Sequence, residues 1–197
     1  MNISILLLIL ALIGVSSYVL GKRRAMALAG GRPSSMHSRS GYHGSYVLIW
    51  ALIPSALILA AWLIISPIIV NSAVHESFPD DIKALPEAQQ SLTYGMVVSI
   101  ARGLTQVSPQ EYDALKADPA TARAVLASKG VAIAGDPQPF MIESAEKLNN
   151  MSAVSRIAMV FVVLATAIAG AFRALRGLAP RFRARNRVEK VILGALV

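Results

Sequence analysis

The stretch Tyr46–Val70, YVLIWALIPSALILAAWLIISPIIV, decides the fold: 25 residues without one charge. As a helix it rises roughly 37 Å, more than the ~30 Å of hydrocarbon in a bilayer, so it spans with some tilt. A buried helix of a soluble protein is hard to sustain at this length. Tyr46 and Trp50 stand at its start and Trp62 nearer its end, where interfacial aromatics belong. Pro54 and Pro67 fall inside it. Membrane helices tolerate proline where a neighbour satisfies the freed carbonyl, so a bend is expected.

Two further runs flank it. Ile3–Leu20 is uncharged and is followed by Lys22-Arg23-Arg24. A cleaved signal peptide wants positive charge before a shorter apolar core. Here the charge follows, and no small-x-small cleavage site intervenes, so the run reads as an uncleaved anchor. Ile157–Phe172 is a shorter run, extended upstream by Ala153-Val154-Ser155-Arg156, with Arg156 able to snorkel. Its Ala165–Ala171 stretch is almost all small residues, which predicts close packing against another helix. Val191–Val197 begins like a fourth span.

The chain is 55% hydrophobic and 15% charged, with a net charge of +8. Gly21–Ser45 carries Lys22, Arg23, Arg24, Arg32 and Arg39 and no acid. After the third run, Arg173, Arg176, Arg181, Arg183, Arg185, Arg187 and Lys190 face only Glu189. Residues 71–152 hold ten acids against six Lys and Arg. The positive-inside rule then yields one topology. Segment 1–20 is transmembrane helix 1, entered from the periplasm, and 21–45 a basic cytoplasmic loop. Segment 46–70 is transmembrane helix 2, 71–152 a periplasmic helical domain, and 153–172 transmembrane helix 3. Segment 173–190 is basic and cytoplasmic, and 191–197 starts a further, truncated span. The fold class is all-α integral membrane. The excess positive charge serves topology and attraction to membrane lipid rather than nucleic acid.

Segment 71–152 reads as helical. Ile82, Leu85, Leu92, Met96, Val97, Ile100 and Leu104 recur at three- and four-residue steps, predicting one helix over 81–104. Asp80 and Asp81 suit its start and Arg102 its end. Ser108-Pro109-Gln110-Glu111 reads as a capping box with a first-turn proline. Asp118-Pro119 starts another helix through Val125 and Leu126, which Gly130 stops. Val131-Ala132-Ile133 reads as a short extended piece before a Gly135-Asp136-Pro137 turn. From Phe140 a helix runs toward the third span.

Sites of chemistry are not evident. There is no cysteine, which excludes thiolate metal sites and thiol nucleophiles. His37 and His43 sit in the basic loop, and His75-Glu76 follows the second run, none at metal-ligand spacing. No phosphate-binding G-x-x-x-x-G-K-[ST] loop and no G-x-S-x-G elbow occurs. Gly30-Gly31 and the glycines of Gly41-Tyr42-His43-Gly44 read as loop glycines. Ser108, Glu111 and Asp118 read as caps rather than ligands. No residue is assigned a catalytic, cofactor-binding or metal-binding role, and the chain is read as non-enzymatic. The spans hold no ionisable group except Arg156 at a rim, so they make a poor pore on their own.

The order of parts resembles a known family. The features are Gly21-Lys22-Arg23-Arg24-Ala25 after a short first span, and Gly41-Tyr42-His43-Gly44-Ser45-Tyr46-Val47-Leu48-Ile49-Trp50-Ala51 leading into the second. An external helical insert, a third span and Arg187-Val188-Glu189-Lys190-Val191-Ile192-Leu193 follow. Together they resemble the amino-terminal extension of the PstC-type permease subunit of phosphate ABC transporters. The resemblance implies a non-catalytic membrane domain supporting ATP-driven phosphate import across the bacterial inner membrane. It implies as partners a second permease subunit, an ATPase dimer and an extracytoplasmic phosphate-binding protein. The family's translocation helices and ATPase-docking loop would lie beyond Val197, so no pore residue carries over. The alternatives are a membrane-anchored sensor with an external receptor domain, and a small assembly factor.

Overall fold

The computed structural model describes residues 3–30, 39–108, 110–112, 115, 119–131, 133, 137–179 and 184–196. Among these it is all helical, with seven bounded helices: α1 (Ile3–Leu28), α2 (Ser40–Glu76), α3 (Asp80–Lys83), α4 (Glu87–Leu104), α5 (Pro119–Ser128), α6 (Pro139–Arg176) and α7 (Ala184–Leu196). Residues 110–112 and 115 are also helical. Three helices, α1, α2 and α6, are long and apolar enough to cross a membrane. The chain divides into two compact units, 1–63 with 156–197, and 64–155.

The helices overrun the apolar runs that announced them. α1 continues through Lys22-Arg23-Arg24 to Leu28, because Lys and Arg are good helix formers and nothing breaks the chain there. It ends at Gly30, whose φ of 61° turns the chain, while Ala29 N–H donates to the Ala25 carbonyl. α2 begins at Ser40, so Gly41 and Gly44 are helical, and the loop reading of these two glycines is corrected. Gly31 lies outside the described residues. His43, expected in a loop, is instead in α2 and buried.

In the first unit, Leu6, Leu10, Gly14, Ser17, Gly21 and Ala25 form the buried stripe of α1. Leu6 and Leu10 join Leu59 of α2 and Met159, Val163 and Ala167 of α6 in one apolar cluster. Val47, Ala174 and Leu178 form a second, smaller one. The opposite faces stay exposed and apolar, including Leu8, Leu12 and Val15 on α1, Leu57 on α2, and Ile157, Phe161 and Ile168 on α6. Such faces are tolerable against lipid and not against water.

The second unit has an ordinary hydrophobic core. Val74, Phe78, Val97, Ile100, Ala101, Leu115, Leu126, Ile133, Met141, Ile142 and Ala145 are buried together. The expected single helix over 81–104 is two. Pro86 has no N–H and disfavours helix in the residue before it, so α3 stops at Lys83 and α4 starts after Pro86. Gln90 fills the break by donating from Nε2 to the Lys83 and Leu85 carbonyls, both at 2.8 Å. Asp80 and Asp81 therefore serve the first turn of α3, and Arg102 the last turn of α4. Leu92, expected on the core face, is 71% exposed. Gly130, at φ 78°, ends the turn after α5. Val131 and Ile133 are neither helix nor strand. Ala132, Gly135, Asp136, Pro109 and Asp118 lie outside the described residues.

Candidate functional site

Pro54 cannot donate the hydrogen bond that would close on the Trp50 carbonyl four residues earlier. That carbonyl faces α6. A Cβ built on Gly170 would stand 2.1 Å from the Trp50 oxygen, so only a glycine lets the two helices meet there. Such close approach of backbones at a glycine is typical of membrane-helix crossings. The next turn is reinforced by Ser55, whose buried hydroxyl donates to the Ala51 carbonyl at 2.8 Å or the Leu52 carbonyl at 2.9 Å. Within the small-residue stretch 165–171, Ala167 is buried and Gly170 makes the close crossing, while Ala165, Ile168 and Ala169 stay exposed.

A second glycine crossing joins α1 to α2. A Cβ on Gly21 would meet Val47 at 2.8 Å and the His43 carbonyl at 3.0 Å. A Cβ on Gly44 would meet the Tyr18 carbonyl at 2.7 Å, and one on Gly14 would meet Leu52 at 2.8 Å. The signal for this crossing was present in the sequence as Gly14-x-x-Ser17-x-x-x-Gly21, a run of small residues at helical spacing.

Beside that crossing lies a cavity of about 410 Å³ lined by Tyr18, Lys22, Arg39, Ser40, Gly41, Tyr42 and Ser45. A second, of about 370 Å³, is lined by Tyr46, Ile49, Trp50, Arg187, Val188, Lys190 and Val191, between α2 and α7. α7 is thereby anchored by Ala184 and Val188, which are buried, and carries an Arg185–Glu189 pair at 2.6 Å on its surface.

In the 64–155 unit the polar contacts are structural. Ser108 and Glu111 form a reciprocal capping box: Ser108 N–H donates to the Glu111 carboxylate at 2.8 Å, and Glu111 N–H to Ser108 Oγ at 3.3 Å. These bonds from Ser108, with Lys129 at 3.3 Å, hold the Glu111 carboxyl below its usual range. His75 stacks on Tyr94, ring centroids 4.8 Å apart, and Tyr94 donates to Asn71. Lys147 Nζ donates to the Ala73 carbonyl at 2.8 Å in the last turn of α2, where a helix end favours a cation. Asn149 donates to the Ala101 carbonyl at 2.7 Å, and Ser66 and Ser155 share a hydroxyl bond at 2.5 Å. Among the described residues, no three His, Cys, Asp or Glu side chains converge on a possible metal position. His37, Arg32, Arg181 and Arg183 lie outside the described residues.

The family described as Phosphate ATP-binding cassette transporter matches residues 7–172. The chain belongs to that family. The matched region of this phosphate ATP-binding cassette transporter family member begins inside α1 and ends inside α6, so it covers most of the first and third candidate spans, all of the second and the whole 64–155 unit. The family assignment and the three apolar helices make it a membrane protein of phosphate transport. No curated protein and no solved structure matches the chain.

Proposed function

We propose that this chain is the non-catalytic amino-terminal membrane domain of a phosphate-importing ABC permease. It would sit in the inner membrane with its amino terminus and the 64–155 unit on the extracytoplasmic side. The observation that carries this reading is the family match over three spans whose apolar runs contain no ionisable side chain. A conducting bundle in lipid places polar or ionisable groups along its path. Helices without them are suited to scaffold a path built by others. Glycine-mediated crossings suit the same role, because they fix helices against one another.

The charge distribution supports the orientation. Basic residues flank the spans on the 21–45 and 173–190 side, whereas 71–152 is net acidic. The buried core of the 64–155 unit supports its folding in water as a separate body. By its location it is the part that would meet an extracytoplasmic phosphate-binding protein, while a second permease subunit and an ATPase dimer would complete the transporter. α7 supports two readings of the last segment: the start of a fourth span, or an amphipathic helix at the interface.

The test has two parts. Single cysteines at Ser91 and at Ala27, in this cysteine-free chain, are labelled in intact and permeabilised cells. An impermeant reagent is expected to reach Ser91→Cys from outside and Ala27→Cys only after permeabilisation; the reverse pattern would overturn the topology. Phosphate uptake is then measured in a transporter from which residues 72–152 have been removed. Uptake at the normal rate would remove the role assigned to that unit.

A further inference from the structure

The cavity between the end of α1 and the start of α2 has the chemistry of an anion site. Its cations are Lys22 and Arg39, and its hydroxyls come from Tyr18, Ser40, Tyr42 and Ser45. The Tyr18 hydroxyl lies 3.5 Å from where a Gly41 Cβ would stand, which places it beside the first turn of α2. Neither Lys22 nor Arg39 makes an ion pair among the described residues. The unit offers little to pair them with. Segments 1–63 and 156–197 together contain thirteen Lys and Arg against one acid, Glu189, and Glu189 is bonded to Arg185. The first acid in the chain is Glu76. Two cations and several hydroxyl donors around one cavity, with no carboxylate among its lining residues, are suited to a phosphate group, which offers charge and several acceptor oxygens.

Position favours a phosphate held at the membrane surface. Tyr18 lies near the end of the apolar run Ile3–Leu20 and Lys22-Arg23-Arg24 follow, so the cavity falls at the level where a span leaves hydrocarbon for headgroups. The neighbouring cavity along α2 continues the same pattern, with Tyr46 and Trp50 beside Arg187 and Lys190. We propose that the cavity lined by Tyr18, Lys22, Arg39, Ser40, Tyr42 and Ser45 binds the phosphate group of an anionic phospholipid or, by the same chemistry, inorganic phosphate. The proposal does not depend on which side of the membrane the cavity faces or on the permease reading.

The experiment uses the full chain purified in mild detergent and stripped of lipid. Native mass spectrometry then counts retained phosphatidylglycerol and phosphatidylcholine, with and without millimolar inorganic phosphate. The unmodified chain is expected to retain phosphatidylglycerol at least tenfold over phosphatidylcholine. The double variant Lys22→Gln/Arg39→Gln should lose about tenfold or more of that preference, as two surface cations imply. The control Lys83→Gln/Arg102→Gln should keep it. If inorganic phosphate displaces the lipid, or binds where the lipid does not, the free ion is the ligand. Equal retention of the two lipids with no phosphate bound, or an unchanged preference in the double variant, would overturn the proposal. Should the double variant misfold, a photoreactive phosphatidylglycerol on the unmodified chain decides. Label on peptides containing Tyr18–Lys22 or Arg39–Ser45 supports the site, and label only elsewhere overturns it.

Discussion

In the 1–63 and 156–197 unit the tightest crossings fall where side chains are missing, at Gly14, Gly21, Gly44 and Gly170, beside the apolar cluster of Leu6, Leu10, Leu59, Met159, Val163 and Ala167. In the 64–155 unit they meet through side chains that fill space, Phe78, Ile100, Leu115, Leu126 and Met141. With lipid around the first unit and water around the second, as the proposed topology has it, the difference follows from the solvent on the other face. Lipid is as apolar as leucine, so burying leucine between membrane helices gains little, and close backbone approach supplies dispersion instead. Water penalises exposed apolar area by about 25 cal/mol per Å², so the smaller unit gains by burying its largest side chains. Among the described glycines of that unit, Gly103 fits the same logic: a Cβ there would fall 2.3 Å from Leu126, whose side chain fills the gap.

The comparison breaks most readily at Gly170. Gly170→Leu places a branched side chain on the Trp50 carbonyl and is expected to cost more than about 4 kcal/mol, beyond the usual range for overpacking, because backbone cannot step aside. Loss of the folded three-helix signal on gentle denaturation in detergent would show it, and a wild-type midpoint would refute the crossing. Ile100→Ala, in contrast, should cost about 3 kcal/mol by leaving a cavity in the 64–155 core. Proteolysis confined to that unit, with the spans intact, is the expected readout.

A smaller effect sharpens the picture of the same unit. Ser108→Ala removes one half of the capping box and should cost about 1 kcal/mol. It should also flatten a pH dependence. Glu111 is held below its ordinary value near 4.5 when folded, so its contribution is present above that pH and is lost as pH falls through the folded value. Acid titration of both proteins, followed by helical signal, compares the two slopes. The smallest effect belongs to Leu92→Ser, where an exposed side chain is exchanged; a change beyond about 0.5 kcal/mol would mean that Leu92 is covered by something.

The three spans were legible because a run of apolar residues longer than a bilayer is thick has few other meanings. Gly130 and the Ser108–Glu111 cap were legible because their chemistry is local. The ends of the spans were not, since Lys22-Arg23-Arg24 breaks hydropathy without breaking a helix. The division at Pro86 was overridden by periodicity, which continues in register across a short break. Gly41 and Gly44 were misplaced for a related reason. A glycine near a span end looks like a turn until the partner helix, here the Tyr18 turn, is known to lie against it. The basic cavity was not legible either, because Lys22 and Arg39 come together only when α1 and α2 cross.

The meeting of Gly170 with the Trp50 carbonyl also restricts how these helices can move. A piston stroke of α6 by one turn along α2 would bring Thr166 or Ala174 onto that carbonyl, and each carries the Cβ for which there is no room. One-turn ratchets of the kind some switching proteins use are therefore closed to this pair. In this structure α2 and α6 are keyed together at this point, and a one-turn slide would first have to draw them apart.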